Sequence, residues 1–248
     1  LEGDIVIKAA DLSGVYHETA RLPMNRNTYG ISFGDIDGDG YLDAFMAHWD
    51  FNGVSGTAPA LWRNQEGQSL VPYDVEAGTS SAHLDQHWNL TPKFADLTGN
   101  GHQDLLVTSD FGTSAVLTNN GHGGFVVNTD AGVITDQNGM GAALGDVNNN
   151  GRLDWFVSSV KDPSGIAEAN WGITGNRLYM NNSSPSVVSF TDETESAGVR
   201  DGNWGWGACM ADFNNDGFLD IFHTTGFGMI PAKLHDGGIV SWVINLYA

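Results

Sequence analysis

Short apolar runs separated by clusters of glycine, asparagine and aspartate recur along the whole chain. Each run spans four to six residues, and runs bounded by such turn-forming residues are typical of β-strands. No stretch keeps a helical period over the ~11 residues that mark an amphipathic helix. The pattern therefore predicts an all-β chain.

Four nine-residue segments share one pattern of aspartate, asparagine and glycine, and they begin 61, 50 and 66 residues apart: 35–43, 96–104, 146–154 and 212–220. Each follows a stretch of small and apolar residues, as at 30–34, and precedes an apolar run, as at 44–47. Two further landmarks recur around most segments, one at 61–64, 116–119, 178–181 and 244–247, the other at 10–15, 75–78, 130–133 and 196–199. Each repeat of about 60 residues thus supplies four predicted strands, the last of them at the second landmark.

Four-stranded antiparallel units that repeat along a chain are the blades of a β-propeller, so we predict a single propeller domain over residues 1–248. The chain opens on a strand of the fourth type at 5–15 and closes on one of the third type at 242–247. Pairing the two would complete a fourth blade and cover an exposed edge. This phase favours a closed four-bladed ring. The alternative is a fragment of a seven- or eight-bladed propeller, because a segment cut from a longer propeller could open and close on the same types of strand.

The nine-residue segments carry oxygen-bearing side chains at positions 1, 3, 5 and 9 and glycine at position 6. Ca²⁺ takes about six to eight oxygen ligands, and alternate side chains of a tight turn converge on one point. The carbonyl of position 7 can add a ligand. The pattern predicts up to four structural Ca²⁺ ions, although such residues also suit hairpin turns without a metal. The predicted ligands are Asp35, Asp37, Asp39, Tyr41 and Asp43; Asp96, Thr98, Asn100, His102 and Asp104; Asp146, Asn148, Asn150, Arg152 and Asp154; and Asp212, Asn214, Asp216, Phe218 and Asp220.

The segments hold eleven of the chain's 30 acidic residues, four in the first, three in the fourth and two in each of the others. Carboxylates grouped in this way repel one another unless a cation lies between them. If ligand charge decides affinity, the first segment binds Ca²⁺ most tightly and the fourth comes next. Four bound ions would bring the formal net charge from −20 to about −12.

Charge and composition exclude several classes of protein. Only 10 basic residues face the 30 acidic ones, so the basic footprint of a nucleic-acid-binding protein is missing, and an anionic membrane surface would repel the chain. No apolar run reaches the ~18 residues of a membrane span. The single cysteine, Cys209, excludes a disulfide framework, and its apolar neighbours predict a buried, unreactive thiol.

Candidate residues for catalysis are few, and no catalytic residue is assigned. His83, Asp85 and His87 would share one face of an extended chain, where they could bind a transition metal or act as acid and base. A second set could bind a ligand, because it follows the second strands near where the blades open to one face of the ring: His48, Asp110, Lys161 and His223. For both sets, a solvated polar rim without catalytic function is the simpler interpretation.

The tryptophans divide into two groups. Trp62, Trp155 and Trp242 fall within predicted strands and are expected in the core. The remaining five lie in or beside loops, where they suit either packing in the ring centre or stacking on a sugar ring: Trp49, Trp88, Trp171, Trp204 and Trp206.

The segment Gly-Asp-x-Asp-x-Asp-Gly-x-x-Asp between apolar strands resembles the FG-GAP/VCBS repeats of integrin α-type β-propellers. Residues 190–199, 204–207 and 212–220 are similar to the cartilage-acidic-protein subgroup. The resemblance implies a secreted or surface-displayed propeller with structural Ca²⁺ between the first two strands of a blade, and it implies binding or adhesion more often than catalysis. Five residues depart from the aspartate pattern and weaken the expected binding there: Thr98, Asn100, Asn148, Asn150 and Asn214.

We therefore expect an extracellular or cell-surface module, stabilised by calcium, that binds a glycan or protein ligand at a propeller face; a periplasmic location is the variant. The alternative is an extracellular enzyme, a hydrolase or lyase that acts on polysaccharide, built on a propeller scaffold. Neither nucleic acid nor membrane insertion is expected, and the sequence assigns no oligomeric state.

Overall fold

Antiparallel strands form nearly all the regular structure in the computed structural model, which describes residues 3–24, 26–49, 58–82, 84, 88–162, 172–226 and 245–247. Strands β1 (Gly3–Ala10) and β2 (Tyr16–Met24) form an N-terminal hairpin, and four further sheets follow in chain order. Within the described ranges, helix is limited to α1 (Asp74–Ala77) and a 3₁₀ turn at Thr79–Ala82. None of the described helices is long and apolar enough to cross a membrane.

The four sheets are called blades 1 to 4. Blade 1 contains β3 (Thr28–Gly34), β4 (Asp43–His48), β5 (Leu61–Gln65) and β6 (Ser69–Pro72). Blade 2 contains β7 (Asn89–Ala95), β8 (Asp104–Ser109), β9 (Ala115–Asn119) and β10 (Phe125–Val127). Blade 3 contains β11 (Gly141–Gly145), β12 (Asp154–Ser158), β13 (Arg177–Asn181) and β14 (Phe190–Asp192). Blade 4 contains β15 (Gly205–Ala211), β16 (Asp220–Thr225) and β17 (Asn245–Tyr247). The predicted all-β class and its antiparallel blades are confirmed.

The nine-residue segments connect the first and second strands of every blade. Position 9 pairs with the residue just before position 1 in all four blades: Gly34 with Asp43, Ala95 with Asp104, Gly145 with Asp154 and Ala211 with Asp220. The four loops are therefore equivalent turns at the same end of their blades.

Successive blades meet through their first strands, with β3 beside β7, β7 beside β11 and β11 beside β15. Glycine permits this close approach. A Cβ atom at Gly30 would collide with the carbonyl of Leu90, and one at Gly141 would collide with the carbonyl of Trp206. The glycine-rich first strands are thus explained by backbone contact between neighbouring blades.

The hydrophobic core lies in layers between blades. Phe45 and Leu61 of blade 1 pack with Leu105 and Leu117 of blade 2. Leu106 of blade 2 belongs with residues of blade 3 to the next layer, where the rings of Trp155 and Tyr179 lie 5.3 Å apart. Trp62 and Trp155 are buried as predicted, whereas Trp171 and Trp242 lie outside the described residues.

The N-terminal segment, predicted to be an unpaired outer strand, is paired in a local hairpin, and its pairing with the last blade stays a prediction. Residues 3–10 pair with β2, and the hairpin packs Ile5 and Ile7 against Met46 and Trp62 of blade 1. Its turn is stabilised by the carboxylate of Asp11, which accepts the backbone N–H groups of Ser13 and Val15. A local hairpin pairs the backbone of β1 with little loss of chain entropy, because only a short loop is closed. The phase of the repeat does not show this pairing. Closure of the ring stays a prediction.

The fourth strand of a blade precedes the landmark that was predicted to form it. Strands β6, β10 and β14 end before the landmarks at 75–78, 130–133 and 196–199, which form α1 and turns. Gly78 and Gly198 have φ angles of 77° and 68°, in the left-handed region that breaks a strand. The landmark at 244–247, predicted to form the third strand of the last blade, is also displaced along the chain. Tyr247 pairs with Ile221 in blade 4, just as Tyr179 pairs with Trp155 in blade 3.

Cys209 is exposed, so the prediction of a buried thiol is wrong. Alternate residues of β15 point to opposite faces of the blade. One face, with Trp206 and Met210, meets blade 3, and the other carries Cys209. The apolar neighbours of Cys209 in the sequence predicted burial, but they do not show which face of β15 packs against another blade.

Candidate metal centres

The aspartate at position 1 organises each loop. Asp35 accepts the backbone N–H groups of Gly38, Asp39 and Gly40 at 2.8–3.1 Å. Asp96 accepts the equivalent three groups, and Asp146 and Asp212 accept those of positions 5 and 6. The side chain at position 5 then accepts the N–H of position 7 at 2.8–2.9 Å in every loop. The oxygens predicted as ligands are thus the ones that shape the turn.

Two positions of each loop adopt left-handed backbone. The glycines at position 6 have φ angles of 85–91°, as predicted for a sharp turn: Gly40, Gly101, Gly151 and Gly217. Position 4 has φ angles of 58–76° and holds glycine in two loops and asparagine in the others: Gly38, Gly99, Asn149 and Asn215. Asparagine enters this region more readily than most residues, which accounts for the Asn-Asn pairs of the third and fourth loops.

The aspartate at position 9 connects its loop to the third strand. The Asp43 carboxylate accepts the N–H of Ile36 at 3.0 Å and that of Asn64 at 2.7 Å. Asp104 and Asp154 make the equivalent pair of bonds in blades 2 and 3. Burial raises the pKa of all three carboxyls, while the two backbone donors act in the opposite direction.

The first loop brings three carboxylates together. One oxygen from each of Asp35, Asp37 and Asp39 lies within 4.8 Å of the others, and within the described part of the chain such a grouping occurs in this loop. Asp43 lies outside the group. Arg63, on the third strand, forms an ion pair with Asp37 and stands 4.0 Å from Asp39. Three converging carboxylates are a donor set that fits a hard divalent cation such as Ca²⁺.

The second loop contains a buried oxygen that has no hydrogen-bond partner among the described residues. The hydroxyl of Thr98, at position 3, is enclosed in a residue that is only 8% exposed. Leaving such a group unpaired costs about 1–3 kcal/mol. Thr98 occupies the position that Asp37 holds in the first loop. A cation bound in the second loop would therefore be coordinated by the Thr98 hydroxyl. The residues of the second loop therefore fit a metal ion as well.

The third and fourth loops are more open, because Asn148 and Asn214 at position 3 are exposed. The amide of Asn214 donates to Asp216 at 3.0 Å, and Asn149 donates to the carbonyl of Gly217 at 3.0 Å, so the two loops touch. These amide donors satisfy part of the local negative charge. The twenty predicted ligands occupy equivalent turns, and their coordination of calcium stays a prediction.

At the opposite ends of the blades, the polar residues that follow the second strands hold the structure together. The His48 ring lies 3.1 Å from both the Thr28 hydroxyl and the Pro59 carbonyl. Asp110 accepts hydrogen bonds from Asn138 at 2.8 Å and Trp49 at 3.3 Å, and burial raises its pKa. His223 is also buried, which lowers its pKa.

His48, Asp110 and His223 are buried and therefore do not form the solvated rim that the sequence suggested. Lys161 uses its ammonium group to bind the Ile173 carbonyl at 3.3 Å. His83, Asp85 and His87 lie outside the described residues.

Asparagines that the sequence analysis did not single out join neighbouring blades. The amide of Asn119 donates to Ile36 of the preceding loop at 2.7 Å and to Gln103 at 3.0 Å. Asn181 makes the same two contacts one blade later, to Leu97 and Leu153. Both residues end the landmark at 116–119 or 178–181, so the repeat itself contained the signal.

A buried polar network between blades 2 and 3 was also missed. Asp136 is 2% exposed and accepts hydrogen bonds from Tyr179 at 2.9 Å and from Ser114 at 2.6 Å. The Tyr179 hydroxyl in turn accepts the backbone N–H groups of Thr135 and Asp136 at 3.0 Å. Burial raises the pKa of Asp136. No local sequence motif predicts this network, because the hydrogen-bond partners of Asp136 come from separate blades.

Antiparallel blades that each carry an aspartate-rich loop between their first two strands are the architecture of a β-propeller-like protein. Residues 96–157 match the family model of the FG-GAP-like repeat. The chain is similar to cartilage acidic protein 1: it is 26% identical to the protein from Mus musculus over 227 residues and 26% identical to that from Homo sapiens over 226 residues. Each alignment covers 84% of this chain and 32% of the relative, so the chain spans about a third of the length of these relatives. The resemblance drawn from the sequence is confirmed.

Proposed function

We propose that the chain is a calcium-stabilised binding module. The observation that carries this proposal is the convergence of Asp35, Asp37 and Asp39 within 4.8 Å. The unpaired Thr98 hydroxyl in the equivalent loop supports it independently. A cation in each loop would remove the repulsion between carboxylates and stabilise the turn that joins the first two strands of a blade.

A calcium titration of protein treated with chelator tests this proposal. We expect measurable heat of binding and a higher melting temperature in calcium, since each site filled at 100 times its dissociation constant adds about 2.7 kcal/mol. Asp39→Asn keeps the oxygen that accepts the Tyr41 N–H but removes one charge, and we expect it to weaken the first site about tenfold. Asp130→Asn is the matched control, because Asp130 also accepts a local backbone N–H, from Gly132, outside the four loops. Equal melting curves in calcium and in chelator would refute the proposal.

The ligand face we propose lies at the blade ends opposite the calcium loops. The rings of Trp88 and Phe111 meet edge to face there, 5.0 Å apart, beside the Asp110–Asn138 hydrogen bond. Both aromatic residues have positive φ angles, 67° and 56°, and strained backbone of this kind concentrates at binding sites. Aromatic faces next to carboxylate and amide groups suit a glycan, or a protein surface with polar and apolar parts.

Screening a glycan array and a panel of extracellular proteins tests this face. We expect Phe111→Ala to reduce binding of any ligand found by about tenfold, because Phe111 belongs to the aromatic pair and its side chain is 37% exposed. Tyr16→Ala, which removes an exposed aromatic ring from the N-terminal hairpin, is the control and should leave binding unchanged. If Phe111→Ala binds a ligand as tightly as wild type does, the binding site lies elsewhere.

The proposal includes an extracellular or cell-surface location. Loops that mix aspartate with asparagine and threonine suit the weak, millimolar-range calcium sites of extracellular modules, and the chain shares its acidic character with relatives named as acidic proteins. The enzyme alternative rests on His83, Asp85 and His87, and nothing in the described part of the chain favours it.

A further inference from the structure

Each of the first two loops is attached to the blade that follows it. At position 2 of the first loop, Ile36 is 1% exposed and belongs to the same buried cluster as Leu105 and Leu117 of blade 2. Leu97, at position 2 of the second loop, is equally buried and belongs to the cluster that contains Trp155 of blade 3. A loop and the blade after it therefore share one layer of the core.

The backbone at position 2 is held by the same neighbouring blade. The Ile36 carbonyl accepts a hydrogen bond from the Asn119 amide at 2.7 Å, and the Leu97 carbonyl accepts one from the Asn181 amide at 3.0 Å. Asn119 and Asn181 are both buried, and we call them the interblade asparagines. Position 2 lies between positions 1 and 3, whose side chains are predicted ligands. An ion that fixes those two side chains therefore also fixes the carbonyl between them.

Each interblade asparagine is also attached to the loop of its own blade. The Asn119 amide donates to the carbonyl of Gln103, at position 8 of the second loop, at 3.0 Å. Its backbone N–H donates to the carboxylate of Asp104, at position 9, at 2.9 Å. Asn181 makes the same two contacts at positions 8 and 9 of the third loop. Asn119 thus joins the first loop to the second, and Asn181 joins the second to the third.

The turn that follows Asn119 lies against the first loop. The side-chain oxygen of Asn119 accepts the N–H of Gly121 at 2.8 Å, and a Cβ at Gly123 would meet the Cβ of Asp37 at 3.3 Å. Asp37 is a predicted ligand at position 3. The side chain that joins the two loops therefore also positions a turn that rests beside a ligand of the preceding loop.

We infer that neighbouring loops bind calcium cooperatively and that the interblade asparagines are the positioning residues that couple them. This inference rests on the calcium binding proposed above. An ion in the first loop orders the Ile36 carbonyl and, through it, Asn119, which holds positions 8 and 9 of the second loop. The second ion then has less of the chain to order, and it binds more tightly for that reason. The same coupling acts in the opposite direction, because binding free energies are reciprocal.

Nuclear magnetic resonance of protein labelled at glycine follows each loop separately. Position 6 is glycine in all four loops, and its N–H donates to the aspartate at position 1, as from Gly101 to Asp96 at 2.8 Å. The Gly101 signal should therefore report calcium in the second loop. Asp37→Asn/Asp39→Asn empties the first loop, because it removes two charges. It keeps the oxygens that accept the N–H groups of Asp39 and Tyr41.

We expect this double variant to raise the calcium concentration that half-saturates the Gly101 signal about fivefold, at the lower end of coupling between sites. In an Asn119→Ala background, the same two substitutions should leave this midpoint unchanged. Asn64→Ala is the matched control, since Asn64 is the equivalent residue of blade 1. Among the described residues, the Asn64 amide donates to its own loop, at the Leu42 carbonyl, and to no other loop. The fivefold effect should persist in the Asn64→Ala background.

A Gly101 midpoint that does not respond to the emptied first loop would overturn the inference and leave the proposed calcium binding intact. An effect that persists in Asn119→Ala, or that Asn64→Ala abolishes, would overturn it too, because the coupling would not pass through Asn119. If no glycine signal responds to calcium, the proposed function fails together with the inference. Should Asn119→Ala not fold, Asn119→Ser replaces it, since its hydroxyl fills part of the space but cannot span both carbonyls.

Discussion

Carboxylates in this protein differ mainly in what surrounds them. At position 9 of the loops, Asp43, Asp104 and Asp154 are buried, and each accepts two backbone N–H groups. Asp136 is enclosed between two blades and accepts only the Tyr179 and Ser114 hydroxyls as side-chain partners. Backbone donors at fixed positions stabilise the ionised form, and rotatable hydroxyls do so less firmly.

Replacing Asp136 tests the cost of that burial. The pKa of Asp136 is raised in the folded protein, so the unfolded chain releases its proton first as the pH rises above the ordinary value of about 3.9. The fold then loses stability up to its raised pKa, by about 1.4 kcal/mol for each unit of the shift. Asp136→Asn cannot ionise, and its free energy of unfolding should rise relative to wild type as the pH increases from about 4. Chemical denaturation at several pH values measures the difference.

Asp11 is the control of opposite sign. Hydrogen bonds from Ser13 and His17 lower the pKa of this exposed carboxyl, so its stabilising effect is present above its ordinary pKa and is lost as the pH falls. Asp11→Asn should therefore lose stability relative to wild type as the pH rises toward about 4, and the difference should stay constant above that pH, where the effect of Asp136 develops. The same trend in both variants would show that the Asp136 effect does not come from its burial.

Arg63 is the residue we expect to modulate the first calcium loop. Its guanidinium pairs with Asp37 and lies 4.0 Å from Asp39, so it supplies positive charge where a cation would bind. Arg63→Gln should increase calcium affinity of this loop about fivefold, equivalent to the ~1 kcal/mol of a solvent-screened charge pair, and should lower stability without calcium. Titration calorimetry compares it with Arg21→Gln, which breaks the Arg21–Glu18 pair of the hairpin instead. Equal affinities for the two variants would exclude a role for Arg63.

The residue pattern of the loops could be predicted from the sequence because it depends on neighbours within nine positions. Gly40 and Asp35 adopt the turn that their spacing predicts. Asn119, Asp136 and Arg63 act through partners on other strands or in another blade. Only the folded arrangement of blades brings those partners together.

At the scale of the element, predictions were reliable for the first three strands of a blade and poor for the fourth. Strands β10 and β14 have three residues each, too few to show an alternating pattern, whereas the landmark that follows each of them has four residues and contains glycine. The N-terminal hairpin was missed because β1 and β2 pair locally and do not follow the repeat.

The close contact between first strands yields a paired prediction. A methyl group at Gly141 would collide with the Trp206 carbonyl and approach the Ser158 hydroxyl to 2.8 Å, so Gly141→Ala should cost about 1–3 kcal/mol through overpacking. Gly207 is the equivalent residue of blade 4, and among the described residues a Cβ there would meet only the Thr224 hydroxyl, at 3.3 Å. Gly207→Ala should be neutral or stabilise by up to about 1 kcal/mol, because alanine restricts the unfolded chain.

Both glycine variants are compared with wild type by chemical denaturation. Equal losses of stability at the two glycines would mean that blade contact does not decide the cost.

At the scale of the whole molecule, negative charge is the dominant feature. The formal net charge is −20, and four bound calcium ions would reduce it to about −12. Self-repulsion of this size destabilises a compact state. It acts over the Debye length, which falls from about 30 Å at 0.01 M salt to about 10 Å at 0.1 M.

Salt should therefore stabilise the calcium-free protein more than the calcium-bound one. Raising NaCl from about 10 to 150 mM in chelator should add about 1 kcal/mol, or about 2–4 °C in melting temperature for a domain of this size. In saturating calcium the gain should be smaller, because fewer charges remain to be screened. Choline chloride at equal ionic strength is the control, since its bulky cation screens charge but does not fit a carboxylate loop. If NaCl stabilises and choline chloride does not, the effect comes from sodium bound in the loops, and repulsion across the molecule is too weak to matter.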